Sequence, residues 1–194
     1  MTLLGAIPTA HGAIVYSGLQ NIAIPYSFSG VYVNIQTLGT SFNQPADFDT
    51  SPWLNLDFGG VDISNGVLIS PIVIGVGLDQ VTNLSGGSAV GPAASFASSP
   101  NASTTHLGPA VDQFQSNTPG YIGFSFNASP AGPTKYGWMR ISINDSGTGN
   151  GTVHDWAYED VAGTSLSAGV PEPTGLALIL WGMGSVLLRR VRAR

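Results

Sequence analysis

The chain has 194 residues, of which only 9% are charged, and it contains no cysteine. Its first 170 residues hold two basic and ten acidic side chains, whereas the other four basic residues all lie in the last six positions. This composition excludes disulfides and thiolate metal ligands. It also argues against nucleic acid as a partner, because the chain has no basic patch that would neutralise phosphates.

The N-terminal segment 1–12 is short and apolar, and it carries no positive charge. Small residues surround His11 in the sequence Ala10-His11-Gly12-Ala13, as they do at many signal-peptide cleavage sites. We interpret this segment as the remnant of a signal peptide, which predicts export. The alternative is an ordinary first strand preceded by a flexible end.

Residues 13–168 predict one all-β domain. Short β-rich runs alternate with clusters of Gly, Pro, Asn and Ser, and helical periodicity is almost absent. This pattern favours an antiparallel, jelly-roll-like β-sandwich. Long loops are expected over 82–119, with one short element near 111–114. The predicted strands are 13–16, 22–24, 31–38, 54–58, 67–69, 72–76, 121–126, 136–143 and 152–158.

Two hairpins are predicted within this domain. The first joins 61–63 to 67–69 through Asn65-Gly66, because Asn-Gly accepts the positive φ values that a type I′ turn requires. The second joins 136–143 to 152–158 through a loop rich in Gly and Asn.

The last two predicted strands carry the candidate binding residues. Alternation places Tyr136 and Trp138 on one face of the first strand. On the second strand a single face holds His154, Trp156 and Tyr158. Paired across the hairpin, these side chains would form a flat platform on which sugar rings stack. The favoured alternative is that Trp138 and Trp156 fill the core of the sandwich or its rim.

No catalytic, cofactor or metal site is predicted. The histidines are His11, His106 and His154, and none stands in a recognisable hydrolase or metalloprotease motif. His154 precedes Asp155, but adjacent residues of a strand point to opposite faces, so this pair is not expected to act as an oriented base. A glycosidase would need Glu159 with a distant Asp.

One acidic group is a candidate for Ca²⁺. Asp47, Asp49, Asp57 and Asp62 flank Trp53 in the sequence and offer carboxylate oxygens. They lack the regular Asp, Asn and Gly spacing of calcium-binding loops, so solvated loop carboxylates are the favoured interpretation.

The C-terminal segment 169–194 has three consecutive parts. The first is stiff and extended, because two prolines fix φ near about −65° and restrict their neighbours; it consists of Val170, Pro171, Glu172, Pro173 and Thr174. The second part, 175–188, is apolar and uncharged. The third is a basic tail that contains Arg189, Arg190, Arg192 and Arg194.

This segment predicts a single transmembrane helix. At about 1.5 Å per residue, 175–188 spans about 21 Å of a hydrocarbon core that is about 30 Å thick, so the helix is short for its role. The arginines would hold the tail in the cytoplasm and the domain outside. The alternative is a buried C-terminal helix of the domain.

The ending resembles the PEP-CTERM sorting signal of Gram-negative bacteria, which membrane enzymes called exosortases recognise. The blocks 120–126, 135–140 and 152–159 also resemble the C-terminal half of a group of secreted sandwiches that carry this signal. Members of that group often have His-Tyr-Gly-Trp where this chain has Lys-Tyr-Gly-Trp at 135–138. The resemblance implies a fold and a destination, and it implies no activity.

These observations predict a non-enzymatic exported protein that an exosortase processes. The inner membrane is its expected transient anchor, with the domain outside the cytoplasm, and the cell surface or the exopolysaccharide and biofilm matrix is its destination. The alternatives are a carbohydrate-binding module that uses the aromatic platform and a secreted hydrolase with an unrecognised site.

Overall fold

The computed structural model describes residues 12–74, 80–98 and 101–170. Over these ranges it contains fifteen strands and a 3₁₀ turn at Phe58–Gly60, so the prediction of an all-β domain is confirmed. The strands, in chain order, are β1 Ile14–Tyr16, β2 Ile22–Ile24, β3 Val31–Asn34, β4 Thr40–Ser41, β5 Trp53–Asp57, β6 Asp62–Asn65, β7 Ile69–Pro71, β8 Val73–Ile74, β9 Gln80–Val81, β10 Ala89–Val90, β11 Asn101–Thr105, β12 Pro119–Asn127, β13 Thr134–Ser142, β14 Gly151–Glu159 and β15 Leu166–Ser167.

Six strands form the first sheet. Five are ordered β1-β14-β13-β12-β7, and β2 also pairs with β14. The three central strands β12, β13 and β14 have nine residues each and are antiparallel to one another. The predicted hairpin between 136–143 and 152–158 is confirmed as the pair β13 and β14.

Seven strands form the second sheet, in the order β4-β3-β5-β6-β11-β9-β8. Its pairs are antiparallel except for β9 and β11, in which Gln80 and Val81 run parallel to Thr104 and Thr105. The second sheet is therefore mixed, whereas the sequence predicted antiparallel pairing alone.

A hydrophobic core lies between the two sheets. Inward-facing residues of both sheets form it, and Leu56 of β5 and Ile122 and Phe124 of β12 are completely buried there. Trp156 of β14 also lies in this core, and its Nε1–H donates to the carbonyl oxygen of Ile35 at 2.9 Å. This hydrogen bond joins the first sheet to the end of β3 in the second.

The opposite face of the first sheet is covered by a two-stranded ribbon of β10 and β15. A Cβ atom at Gly123 would lie 2.5 Å from Ile72 Cδ1 and 3.1 Å from Val90 Cγ2, so the missing side chain allows close packing at this point. The first sheet is thus covered on both faces where the ribbon lies against it. The second cluster of buried residues on this side comprises Ile72, Val90, Tyr136, Trp138, Ala157, Leu166 and Ala168.

The hairpin predicted at Asn65-Gly66 is wrong. β6 ends at Asn65 and pairs with β5 and β11 of the second sheet, whereas β7 begins at Ile69 and pairs with β12 of the first. The chain therefore crosses from one sheet to the other here. The Asn65 Nδ2 amide donates to the carbonyl oxygen of Ile69 at 2.7 Å and holds the crossing.

The prediction of loops over 82–119 missed β11. Asn101–Thr105 inserts between β6 and β9, although its sequence Asn-Ala-Ser-Thr-Thr contains no large apolar residue. Its pairing with neighbours, rather than its own hydrophobic pattern, makes it a strand. The short element expected near 111–114 is reduced to an isolated bridge between Phe114 and Leu107.

Nowhere in the three described ranges is there a helix with the length and apolar character to cross a membrane. The predicted sorting helix 175–188 and nearly all of the predicted signal remnant 1–12 lie outside those ranges.

Candidate functional site

The predicted sorting motif begins at the last described residue. Val170 is 48% exposed, whereas Ala168, two residues earlier, is completely buried in the second cluster. The first residue of the motif therefore lies two positions after the last buried residue of the described chain. Its other members and the basic tail lie outside the described residues; they are Pro171, Glu172, Pro173, Thr174, Arg189, Arg190, Arg192 and Arg194.

The predicted aromatic platform is not formed. Trp156 lies opposite the inward-facing Met139, so Trp156 and Tyr158 point into the core between the sheets. Tyr136 and Trp138 point to the other side of the first sheet, against the ribbon. All four rings are buried, with exposed fractions from 1% to 9%. The faces predicted for the four aromatic residues are correct strand by strand, but the pairing register places the two pairs on opposite sides of the sheet. His154 does not share the face of Trp156 and Tyr158.

His154 occupies an irregularity in β14. The register shifts between Arg140 and Ile141, which leaves His154 as an extra, bulged residue. Its Nε2 lies 2.8 Å from the hydroxyl oxygen of Ser142, on the face of β13 that also carries Arg140. The bulge thus brings His154 to the same side as Asp155, contrary to the expectation for adjacent residues. Burial and the nearby Arg140 lower the pKa of His154.

Arg140 and Asp155 form a two-point ion pair on this side of the sheet. Arg140 Nε donates to Asp155 Oδ1 at 3.0 Å, and an Arg140 terminal nitrogen donates to Oδ2 at 2.5 Å. The Tyr16 hydroxyl donates to the same Oδ2 at 2.8 Å. The hydrogen bond to Asp155 raises the pKa of Arg140. Both carboxylate oxygens are therefore used to join β1, β13 and β14, which supports a structural role.

A pocket of about 420 Å³ opens on the outer face of the second sheet. Most of its floor consists of two rows of residues that lie opposite one another on paired strands, on the face turned away from the core. The first row, on β3, β5 and β6, is Tyr32, Asn55 and Ser64. The second row, on β5, β6 and β11, is Asp57, Asp62 and Thr104.

Aromatic rings surround this floor in two edge-to-face pairs. The ring centroids of Phe28 and Phe58 are 6.3 Å apart, and those of Tyr32 and Phe48 are 5.5 Å apart. Phe28 is 82% exposed at the rim. Phe58 has a φ of 44°, a strained backbone conformation for a bulky residue that costs about 1–3 kcal/mol. Such strain concentrates at functional sites, so this ring is held at the pocket against a local energetic cost.

Asp57 and Asp62 are the charged groups of the pocket, and they lie directly opposite each other on β5 and β6. Burial, together with the charge of Asp62, raises the pKa of Asp57 to about 6. Burial also raises the pKa of Asp62. The residues that line the pocket include no Lys, Arg or His, so these carboxylates have no basic partner within it.

Two buried oxygens at the pocket floor make no hydrogen bond to any described residue. They are Asn55 Oδ1 and Asp57 Oδ1, on side chains of residues that are only 5% and 6% exposed. Leaving a buried acceptor unsatisfied costs about 1–3 kcal/mol. Both residues face the pocket, so a hydrogen-bond donor bound there would remove this penalty.

The predicted acidic group reaches the pocket only in part. Asp57 and Asp62 line it, whereas Asp47 and Asp49 lie in the loop between β4 and β5 and do not. Within the described ranges no group of three or more metal-ligating side chains is assembled. Glu159, the carboxylate considered for a hydrolase, belongs to the first sheet, where its Oε1 accepts the backbone N–H of Val161 at 3.0 Å.

Sequence reasoning identified the two carboxylates of the pocket but missed its remaining residues. A signal for one of them was present, because β5 reads Trp-Leu-Asn-Leu-Asp and alternation places Asn55 and Asp57 opposite the leucines. The rings of Phe28, Tyr32 and Phe48 carried no such signal, since only the pairing of β3 with β5 and the return of the loop after β4 bring them to the same place.

Replacing Asp57 by asparagine is expected to stabilise the domain at pH 8. The pKa of Asp57 is raised from 3.8 to about 6 by folding, so its favourable contribution is complete below about pH 4 and is lost as the pH rises through 6. Asparagine keeps the shape without the charge. The free energy of unfolding should therefore increase by about 1–3 kcal/mol at pH 8 and change little at pH 4. Urea unfolding at both pH values measures the difference, and an equal effect at the two pH values would contradict the assignment.

Comparison with known proteins finds no matching family, no matching curated protein and no matching solved structure.

Proposed function

We propose that this chain is a non-enzymatic exported protein, a jelly-roll-like β-sandwich followed by a transmembrane sorting helix that an exosortase recognises and processes. The observation that carries the proposal is the order of three segments in the sequence: the proline-flanked motif 170–174, the apolar run 175–188 and the basic tail 189–194. Cell surface and exopolysaccharide matrix are the destinations that fit this order.

Each segment has a separate physical task. Two prolines present Glu172 on a stiff, non-helical strand that a protein cleft can bind. The apolar run enters the bilayer, and the arginines anchor its end on the cytoplasmic side and set the orientation. Recognition and anchoring therefore depend on different residues and can be separated by mutation.

The packing of the domain supports access to the motif. Leu166 and Ser167 pair with β10, and Ala168 is buried, so the chain is held by the domain up to this point. Val170 is half exposed immediately afterwards. Val170, the first residue of the motif, is therefore accessible to a processing enzyme.

The other two functions considered from the sequence receive less support. A carbohydrate platform of Tyr136, Trp138, Trp156 and Tyr158 loses support because these rings are buried on two different faces. A hydrolase built on Glu159 would need a cleft around that carboxylate, but Glu159 is only 5% exposed.

Processing tests the proposal. In a host that has an exosortase, the mature protein should lack the segment from about Gly175 onward, and in a host without one the whole chain should remain in the membrane. Mass spectrometry of the C-terminal peptide measures this. Recovery of intact Arg194 on protein secreted by the exosortase host would overturn the proposal.

A Glu172→Gln variant separates recognition from anchoring. It keeps both prolines, the apolar run and the arginines, so membrane insertion should persist while the charge-assisted contact to the enzyme, worth about 1.5–3 kcal/mol, is lost. Uncleaved precursor should then accumulate in the membrane. An Asp145→Asn variant, which removes one exposed charge in the β13–β14 loop, is the matched control and should be processed normally.

A further inference from the structure

We propose that the pocket on the outer face of the second sheet binds an amino sugar, a hexosamine residue with a free ammonium group. The proposal goes beyond sorting and does not depend on it, because all the residues involved precede the sorting motif. Three features of the pocket carry it: the charge of its second row, the unsatisfied acceptor in its first row, and its aromatic walls.

The two carboxylates of the second row favour a cationic ligand. Asp57 and Asp62 face each other across paired strands, and the pocket lining contains no basic residue. The two basic side chains of the described ranges, Lys135 and Arg140, both lie on β13 of the first sheet. An ammonium group placed between the carboxylates would relieve their repulsion and donate to the unsatisfied Asp57 Oδ1.

The first row favours a ligand with a second hydrogen-bond donor at a defined distance from its cation. Asn55 Oδ1 is a buried acceptor without a partner among the described residues. It lies two residues from Asp57 on β5, which corresponds to about 6.7 Å along the strand. A ligand that satisfies both therefore carries two donors about this far apart. We infer a hexosamine, in which an ammonium group and a hydroxyl group lie on opposite sides of a six-membered ring.

The walls favour an organic ligand over a metal ion. The rings of Phe28, Phe48 and Phe58 offer apolar surface that suits the C–H face of a pyranose, and aromatic faces also attract an ammonium group. Ca²⁺ takes six to eight oxygen ligands. A volume of about 420 Å³ lies in the range of small-molecule sites, and it accommodates a single sugar ring with its substituents.

Calorimetric titration of the full-length chain in mild detergent tests the proposal at pH 7, where the sugar amine is protonated. The probes are glucosamine, N-acetylglucosamine, glucose and calcium chloride. Glucosamine should bind at least about tenfold more tightly than either neutral sugar, since each good charge-assisted contact is worth a factor of this size. A glucosamine tetramer distinguishes a free sugar from a polymer unit, because only a site that accepts a polymer unit binds the tetramer.

Two variants locate the binding site. Asp57→Asn should weaken glucosamine binding by about tenfold or more, whereas Asp49→Asn, which removes an exposed charge beside Phe48 without changing the lining, should leave it within about twofold. Phe48→Ala should weaken the binding of glucosamine, and the variant should still prefer glucosamine to the neutral sugars. Thermal unfolding of each variant confirms that it is folded.

Several results would overturn the proposal. Equal affinity for glucose and glucosamine would identify a neutral-sugar pocket, and binding of Ca²⁺ alone would identify a metal site. Absence of glucosamine binding, or unchanged binding by a folded Asp57→Asn protein, would show that the pocket does not take an amino sugar.

Discussion

Replacing Trp156 by alanine is expected to destabilise the domain by about 3–5 kcal/mol, the typical cost of truncating a buried tryptophan. The indole is 1% exposed in the core between the sheets, and its Nε1–H donates to the carbonyl oxygen of Ile35. The substitution would leave a cavity and an unsatisfied carbonyl at the same place. Urea unfolding followed by far-ultraviolet circular dichroism measures the change in the free energy of unfolding.

Two further variants separate the contributions of packing and of the hydrogen bond to this loss of stability. Trp156→Phe retains most of the packing and removes the hydrogen bond, so it should cost about 1–2 kcal/mol beyond the difference in side-chain volume. Val111→Ala, at a side chain that is 78% exposed, is the control and should change stability by less than about 0.5 kcal/mol. A Trp156→Ala protein as stable as this control would show that the indole is not part of the core.

Replacing Arg140 by leucine is expected to destabilise the domain by about 2–3 kcal/mol. Removing one partner of a fully buried ion pair costs about 3–5 kcal/mol because the other charge is left uncompensated. The Asp155 side chain is 4% exposed but that of Arg140 is 33% exposed. Solvent screens a partly exposed pair, so the expected loss of stability is smaller than for a fully buried one. Tyr16 would remain as the donor to Asp155.

A double-mutant cycle separates the ion pair from its surroundings. The combination of Arg140→Leu with Asp155→Leu removes both charges and should recover part of the stability that Arg140→Leu loses, since an apolar pair of similar size replaces a buried ion pair at little cost. If the stability lost by the double variant equals or exceeds the sum of the two single losses, the two side chains do not act as a unit.

The parts of the fold that the sequence predicted are those with strong local patterns. β12, β13 and β14 are nine-residue runs rich in aromatic and β-branched residues, and a Gly-rich loop joins the last two strands. β11 was missed because its five small residues, four of them polar, form a strand only through pairing with their neighbours. Asn65-Gly66 has the sequence of a tight turn, but the strands that flank it find their partners in different sheets.

The candidate site shows the same division between local and long-range information. The sequence shows Asp57 and Asp62 as carboxylates near a tryptophan. That they lie opposite each other depends on the pairing register of β5 and β6, which the sequence does not show. Tyr32 and Phe48 line the same pocket from different segments, and the sequence pattern of neither segment predicts that they meet. The platform failed for the same reason, since the faces of β13 and β14 were assigned strand by strand before their pairing was known.

The ribbon of β10 and β15 has a mechanical consequence. Each strand contributes only two residues to the pair, and β15 ends three residues before Val170, the last described residue. A load applied through the tail would first reach Ala168, which is hydrogen-bonded to Gly87 and Ser88, and then Leu166 and Ser167, which pair with β10. These contacts would open before those of the nine-residue strands of the first sheet. Opening would uncover Trp138, so its fluorescence would report tension on a tethered domain while the central core stayed closed.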